Sequence, residues 1–195
     1  MRRPPNGPPA QGACIVALIA AVVLTGAAAA AEAPRLRAGA IEVGLSGSLT
    51  SVEGSRRSIL ALRAGSFLRA FSGLAGFEAE VGYHHQRSLD EVELQGAVAW
   101  QHALGRSAIH PFVALGGGVR QEWLGSFSEA RYPVGFALGV RALFDVRAAM
   151  RVEYRYRRVF RDPVADFTEH EALVGLSLLF RNDVEGPPPG GGKER

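Results

Sequence analysis

Glutamates and arginines recur along this chain at a spacing of two. Arg151, Glu153, Arg155 and Arg157 occupy every other position, with Met150, Val152, Tyr154 and Tyr156 between them. The same alternation runs from Ile41 to Phe180 and collects Glu42, Arg63, Glu78, Glu80, Glu93, Arg120, Glu122, Arg141 and Glu171 on one side of the parity. Carboxylates and guanidiniums interleaved in this way can transfer protons, line an ion path, or pair with one another. Five histidines add candidates: His84 and His85 adjoin one turn, His102 and His110 bracket another, and His170 lies between Glu169 and Glu171. None has the ligand spacing of a zinc site, and neighbours such as His84 and His85 point to opposite faces of a strand, so they do not chelate as a pair. Ser88 near His84 and Asp90, and Thr168 two places from His170, bring a hydroxyl close to a histidine. Thr168 and His170 make a poor triad, because nucleophile, base and acid must meet on one face and Glu171 has the parity opposite to His170; Ser88, His84 and Asp90 are a second candidate, of a kind that a short loop often holds by chance. Gly116-Gly117-Gly118 lacks the following helix and the Lys-Ser/Thr pair of a phosphate loop. The expectation is therefore no catalytic, metal or cofactor site.

A spacing of two belongs to strands, whose successive side chains face opposite ways. One face of this sheet is then ionic and the other apolar. The apolar parity reads Ile41, Val43, Leu45 and Leu49 in the first segment, Val134, Phe136, Leu138, Val140 and Phe144 in the sixth, Met150, Val152, Tyr154 and Tyr156 in the seventh, and Val174, Leu176, Leu178 and Phe180 in the last. No Glu or Arg falls at the middle of that parity in any segment. An arginine or lysine at the bilayer midplane costs about 2 to 4 kcal/mol, so the pattern suits a barrel with lipid outside and charge inside. Turn signals give eight strands at about 39–51, 57–71, 74–86, 90–103, 108–123, 131–144, 147–160 and 167–180. Lipid leaves no open sheet edge unsatisfied, so the first strand is expected to close against the eighth. Tyr83, Trp123, Tyr132, Tyr156, Phe160 and Phe167 sort to one set of strand ends, and Trp100, Phe144 and Phe180 to the other, as two interfacial girdles would. Short loops are expected on the first side at 52–56, 87–89, 124–130 and 161–166.

The remaining regions are not fold. Arg2 and Arg3, the apolar run 13–24 and Ala29-Ala30-Ala31 read as an export signal over 1–31, cut after Ala31. A lead-in over 32–38, the barrel over 39–181 and a disordered Pro/Gly-rich tail over 182–195 follow. The lone cysteine, Cys14, precedes the cut, so the exported chain has neither a disulfide nor a thiol nucleophile. Of 22 basic residues two lie in the signal, leaving 20 against 19 acidic residues, and no basic stripe for nucleic acid.

The eight-segment alternation, the inward glycines Gly116, Gly118, Gly135 and Gly139, and the closing stretch from Gly175 to Phe180 resemble the small outer-membrane β-barrels of the OmpA, OmpX and opacity-protein type. The resemblance spans about residues 39–180. It implies an eight-stranded antiparallel up-and-down barrel in the outer membrane of a Gram-negative bacterium. Its partners would be lipopolysaccharide and phospholipid, and the barrel-assembly machinery, which would read Gly175, Leu178 and Phe180. Leu173 departs from that signal where a polar residue is usual, and Phe180 is followed by further chain. The interior of so small a barrel is filled by side chains, so Glu42, Arg63, Glu78, Glu80, Glu93, Arg120, Arg141, Arg151, Glu153, Arg155 and Glu171 are expected to pair as a structural lattice. A structural or interactive role follows from this reading. A narrow pore, an adhesin and a lipid A-modifying enzyme are the alternatives, and no extracellular partner is indicated.

Overall fold

Eight antiparallel strands form: β1 (Ile41–Val52), β2 (Ser55–Ala70), β3 (Gly73–Gln86), β4 (Leu89–Gln101), β5 (Ile109–Leu124), β6 (Phe127–Asp145), β7 (Ala148–Arg161) and β8 (Val164–Phe180). The computed structural model describes residues 33–182 apart from 53–54, 87–88, 105–106 and 162–163. The expected signal with its cut at Ala31, Ser88, and tail residues 183–195 lie outside the described residues. Each strand pairs with its neighbour in sequence, and β1 closes on β8 from Ile41↔Phe180 to Val52↔Glu169. Closure removes the edge whose bare N–H and C=O groups lipid cannot satisfy.

Parity sets the two surfaces. Outward residues stand free, Leu49 at 68% and Leu115 at 71% exposure, while inward Arg120 and Arg141 have none. Val140 and Val152 depart from the expected exposed set, being 7% and 4% exposed. They share a register row with Val174, and the taller Tyr154 and Met150 stand two residues to either side of Val152 on the same face. Phe167 also departs: it pairs with Val159 on the inward parity, and the Arg131 guanidinium lies 5.0 Å above its ring.

Three expected loops are largely strand, the first being 52–56, which gives Val52 to β1 and Ser55 and Arg56 to β2. The stretch 124–130 reduces to Gly125-Ser126, because Leu124 pairs with Phe127 and Gly125 takes φ +61°, a geometry suited to a tight hairpin. β6 therefore starts at Phe127 rather than 131. Register sets Glu122 opposite Glu129, a repulsive pair on its own. Arg131 resolves it, reaching Glu122 at 3.2 Å and Glu129 at 3.3 Å. The loop expected at 161–166 likewise gives way at Val164, where β8 begins.

The mouth at which the described residues begin and end is plugged. Leu36, Ala40, Phe67, Leu143, Ala149 and Leu179 form an apolar cluster across it. Asn182, expected in a disordered tail, is 2% exposed and ties this cap together. Its Oδ1 accepts from Arg37 N at 2.9 Å, and its Nδ2 donates to Arg35 O at 3.0 Å and Val146 O at 2.7 Å. Asn182→Ala is expected to cost about 1 to 3 kcal/mol, the range for stranding buried polar partners. Hydrogen exchange should detect it as faster loss of protection at the Arg37 amide, with the mid-strand amides unchanged.

Candidate functional site: the charged lumen

Charge fills the barrel in layers. Just above the plug, Arg141 donates to Glu42 at 2.8 Å and Glu78 at 3.2 Å, and also to Gln101. Its guanidinium lies 4.8 Å from the Phe67 ring centre and 5.6 Å from that of Phe112. Arg151 bridges Glu78 and Glu153, each at 2.6 Å, with its cation 4.1 Å over Phe112. These rings join the apolar plug to the first ionic layer, since a cation over a ring face keeps favourable contact where water is excluded.

The middle layer is built on β2, β3 and β7. Arg63 pairs with Glu80 and lies 3.6 Å from Glu153. Arg155 reaches Glu80 at 2.7 Å, Glu153 at 2.5 Å and Glu171 at 3.5 Å. Above it, Arg157 reaches Glu169 at 3.0 Å and Glu171 at 3.3 Å, and pairs with Glu93. Arg120 holds Glu169 through two parallel bonds of 2.6 and 2.8 Å, with Glu91 at 2.9 Å and Glu93 at 2.6 Å. A guanidinium presents its donors in a planar fork, which suits arginine for this bidentate work.

All the expected lattice residues, from Glu42 to Glu171, are buried and take part in this ionic network. Glu91, Arg157 and Glu169 belong to it as well. Parity was the signal for them: Glu91 and Glu169 stand two residues before Glu93 and Glu171, and Arg157 two after Arg155. Among the described residues, the buried lumen holds eight glutamates and six arginines, two formal negative charges in excess.

Not every inward group is paired. Ser46, Ser48 and Thr50, at alternate positions of β1, have buried hydroxyls without a hydrogen-bond partner among the described residues. For Ser46 and Ser48 the register neighbours explain this: Ser48 faces Leu173 and Ile59, and Ser46 faces Gly175 and Ala61, none with a side-chain donor or acceptor. Toward β5 and β6 a cavity of about 40 Å³ is lined by Gly116, Gly135, Ala114 and Ala137 on one side and Glu80, Arg155 and Arg157 on the other. That volume admits a small number of waters.

The histidines and the other motifs are dispersed. His84 points inward with Nδ1 against Ser58 O, while Asp90 faces outward and bonds the Tyr83 hydroxyl at 2.9 Å. His84 and Asp90 are thus on opposite sides of the wall. His102 stacks on Trp100, and His110 Nε2 accepts from Leu36 N of the plug at 3.4 Å. His170 faces outward, away from Glu171, and meets the Tyr154 hydroxyl at 2.6 Å. The triple glycine lies within β5, where Gly118 leaves room for the carbonyl of Leu94. Of the assembly-signal positions, Leu178 and Phe180 project outward, and Gly175 packs its backbone against β1.

The closed eight-stranded topology is similar to that of known solved structures. Neisserial surface protein A (NspA) superposes with a TM-score of 0.52 at 11% identity, over 71% of this chain and 95% of that one. The N-terminal β-barrel domain of Pseudomonas aeruginosa OprF gives 0.52 at 12% identity, over 73% and 98%. The fold is that of the small eight-stranded outer-membrane β-barrels. Among looser similarities is the outer membrane enzyme PagL, at a TM-score of 0.47 and 13% identity, over 68% of this chain and 97% of that one. No protein family and no curated protein sequence matches the chain. The small-barrel fold thus rests on architecture, which the ionic lumen and the plugged mouth complete.

Proposed function

We propose that this protein is an outer-membrane barrel whose role is structural or interactive, with a lumen closed by its own side chains. One observation carries the reading: the ionic network runs from Arg141 to Arg120, and an apolar plug seals the mouth beneath it. Placement in the outer membrane is supported by the exposed apolar band, by the fold, and by the export signal read in residues 1–31. Lipopolysaccharide and phospholipid would contact that band, and the barrel-assembly machinery would read the outward Leu178 and Phe180 together with Gly175. This reading includes no enzymatic activity.

A narrow pore is the second reading, favoured by the three β1 hydroxyls that have no partner among the described residues and by the cavity beside the glycines. Conductance separates the two. Folded protein in a planar bilayer is expected to give no resolvable current steps. Steps that change with Glu80→Gln would replace the closed-lumen reading with the pore.

A further inference from the structure

One part of the apolar surface carries polar groups that a lipid-facing wall does not need. Arg158 is exposed on the outward face of β7. No carboxylate among the described residues pairs with it. Its register partner on β8 is the outward Thr168, and His170 is its diagonal neighbour. Directly opposed residues on one sheet face stand about 5 Å apart, and diagonal ones about 7 to 8 Å. A guanidinium, a hydroxyl and an imidazole can therefore converge on one small anion.

The imidazole is held for such a role. The Tyr154 hydroxyl lies 2.6 Å from Nδ1, and the Tyr156 ring meets the imidazole edge to face at 5.4 Å. With Tyr154 donating to Nδ1, the ring proton sits on Nε2, free to be donated to an acceptor. Phe136 stacks on Tyr156 at 5.4 Å, so aromatic surface flanks the polar groups on the membrane side.

Height in the membrane identifies the anion. His170 stands ten residues along β8 from Phe180, which lies in the girdle at the other mouth. At about 3.3 Å per residue and a tilt of about 40°, that is about 25 Å along the membrane normal, the height of the apolar band. Arg158 and Thr168 are one row further out, at headgroup level. We propose that Arg158, Thr168 and His170 bind the phosphate of a membrane lipid headgroup, with Phe136 and Tyr156 against its acyl chains. This rests on the membrane-spanning reading above.

Native mass spectrometry of the full protein in micelles tests it, using diphosphoryl lipid A, phosphatidylglycerol and dephosphorylated lipid A as probes. The wild type is expected to retain the two phosphorylated lipids. Arg158→Gln and His170→Gln should each retain them about tenfold less, as loss of a charge-assisted bond implies. Arg69→Gln, an exposed arginine at the other mouth, should bind as the wild type does. Equal retention by Arg158→Gln, equal retention of dephosphorylated lipid A, or displacement of the lipid by millimolar inorganic phosphate would each overturn the site. Heat-modifiable gel migration of the same samples reports the barrel separately: a folded wild type without adducts rejects the site alone, and a wild type without the shift rejects the membrane reading.

Discussion

Arg120→Ala should destabilise the folded barrel by about 3 to 5 kcal/mol, the cost of removing one partner from a buried ionic cluster. Arg120 has no exposed surface and is the common partner of Glu91, Glu93 and Glu169, which come from two other strands. Removing it leaves three nearby carboxylates in a space water barely enters, two of which, Glu93 and Glu169, keep Arg157 as a cationic partner. The effect is one of stranded charge rather than of lost attraction. It follows that adding Glu169→Gln to Arg120→Ala should recover part of the loss, although it removes yet another charged partner. Urea titration of the protein in micelles, followed by tryptophan fluorescence, measures both. Arg161→Ala is the contrast: this arginine is 56% exposed where it meets Glu129, and exposed pairs contribute at most about 1 kcal/mol. Equal losses for Arg120→Ala and Arg161→Ala would refute the description of the lumen as a desolvated network.

Gly135→Val should abolish most assembly into the heat-modifiable barrel. Gly135 pairs with Gly116 on β5 and with Arg157 on β7, on the parity that faces the lumen. A Cβ there would overlap the carbonyl oxygen of Tyr156 and come within 2.8 Å of the Arg157 Cα. Both obstacles are backbone, which cannot turn aside as a flexible side chain can. Yielding would open the β6–β7 ladder, and in lipid the freed N–H and C=O groups find no water. The penalty is set at or above the upper end of overpacking, about 3 kcal/mol. Gly96→Ala is the control, since a Cβ at this outward position meets nothing within 4 Å. It should change stability by no more than about 0.5 kcal/mol. Gel migration with and without boiling reads out both variants.

Much of the architecture is legible in the chain because it depends on parity. Met150 to Arg157 alone show which face of β7 meets lipid and which meets the lumen, and the same holds in each segment. Strand ends are less legible, because near a rim both faces become polar and the alternation fades. Residues 124–130 look like a loop for that reason, having Gly, Ser and Glu in place of a clear apolar parity. The strands continue through them because Arg131 compensates the Glu122–Glu129 opposition, and that opposition exists only once the register is set. Phe167 is misread for a related cause: an aromatic near a strand end suits an interfacial girdle, but its parity turns it inward onto Arg131. Asn182 resembles the Pro/Gly-rich residues that follow it, and its burial depends on three backbone groups from two distant segments.

The sequence by itself determined an eight-stranded, two-faced sheet with charge on one face, because side-chain direction in a strand is a local property that each residue inherits from its neighbours. Only the tertiary structure decided which arginine answers which glutamate. Arg141 meets Glu42 across 99 positions, and Arg120 meets Glu169 across 49. Those pairs follow from how far each strand slides past the next before the barrel closes, and that stagger belongs to the closed sheet as a whole.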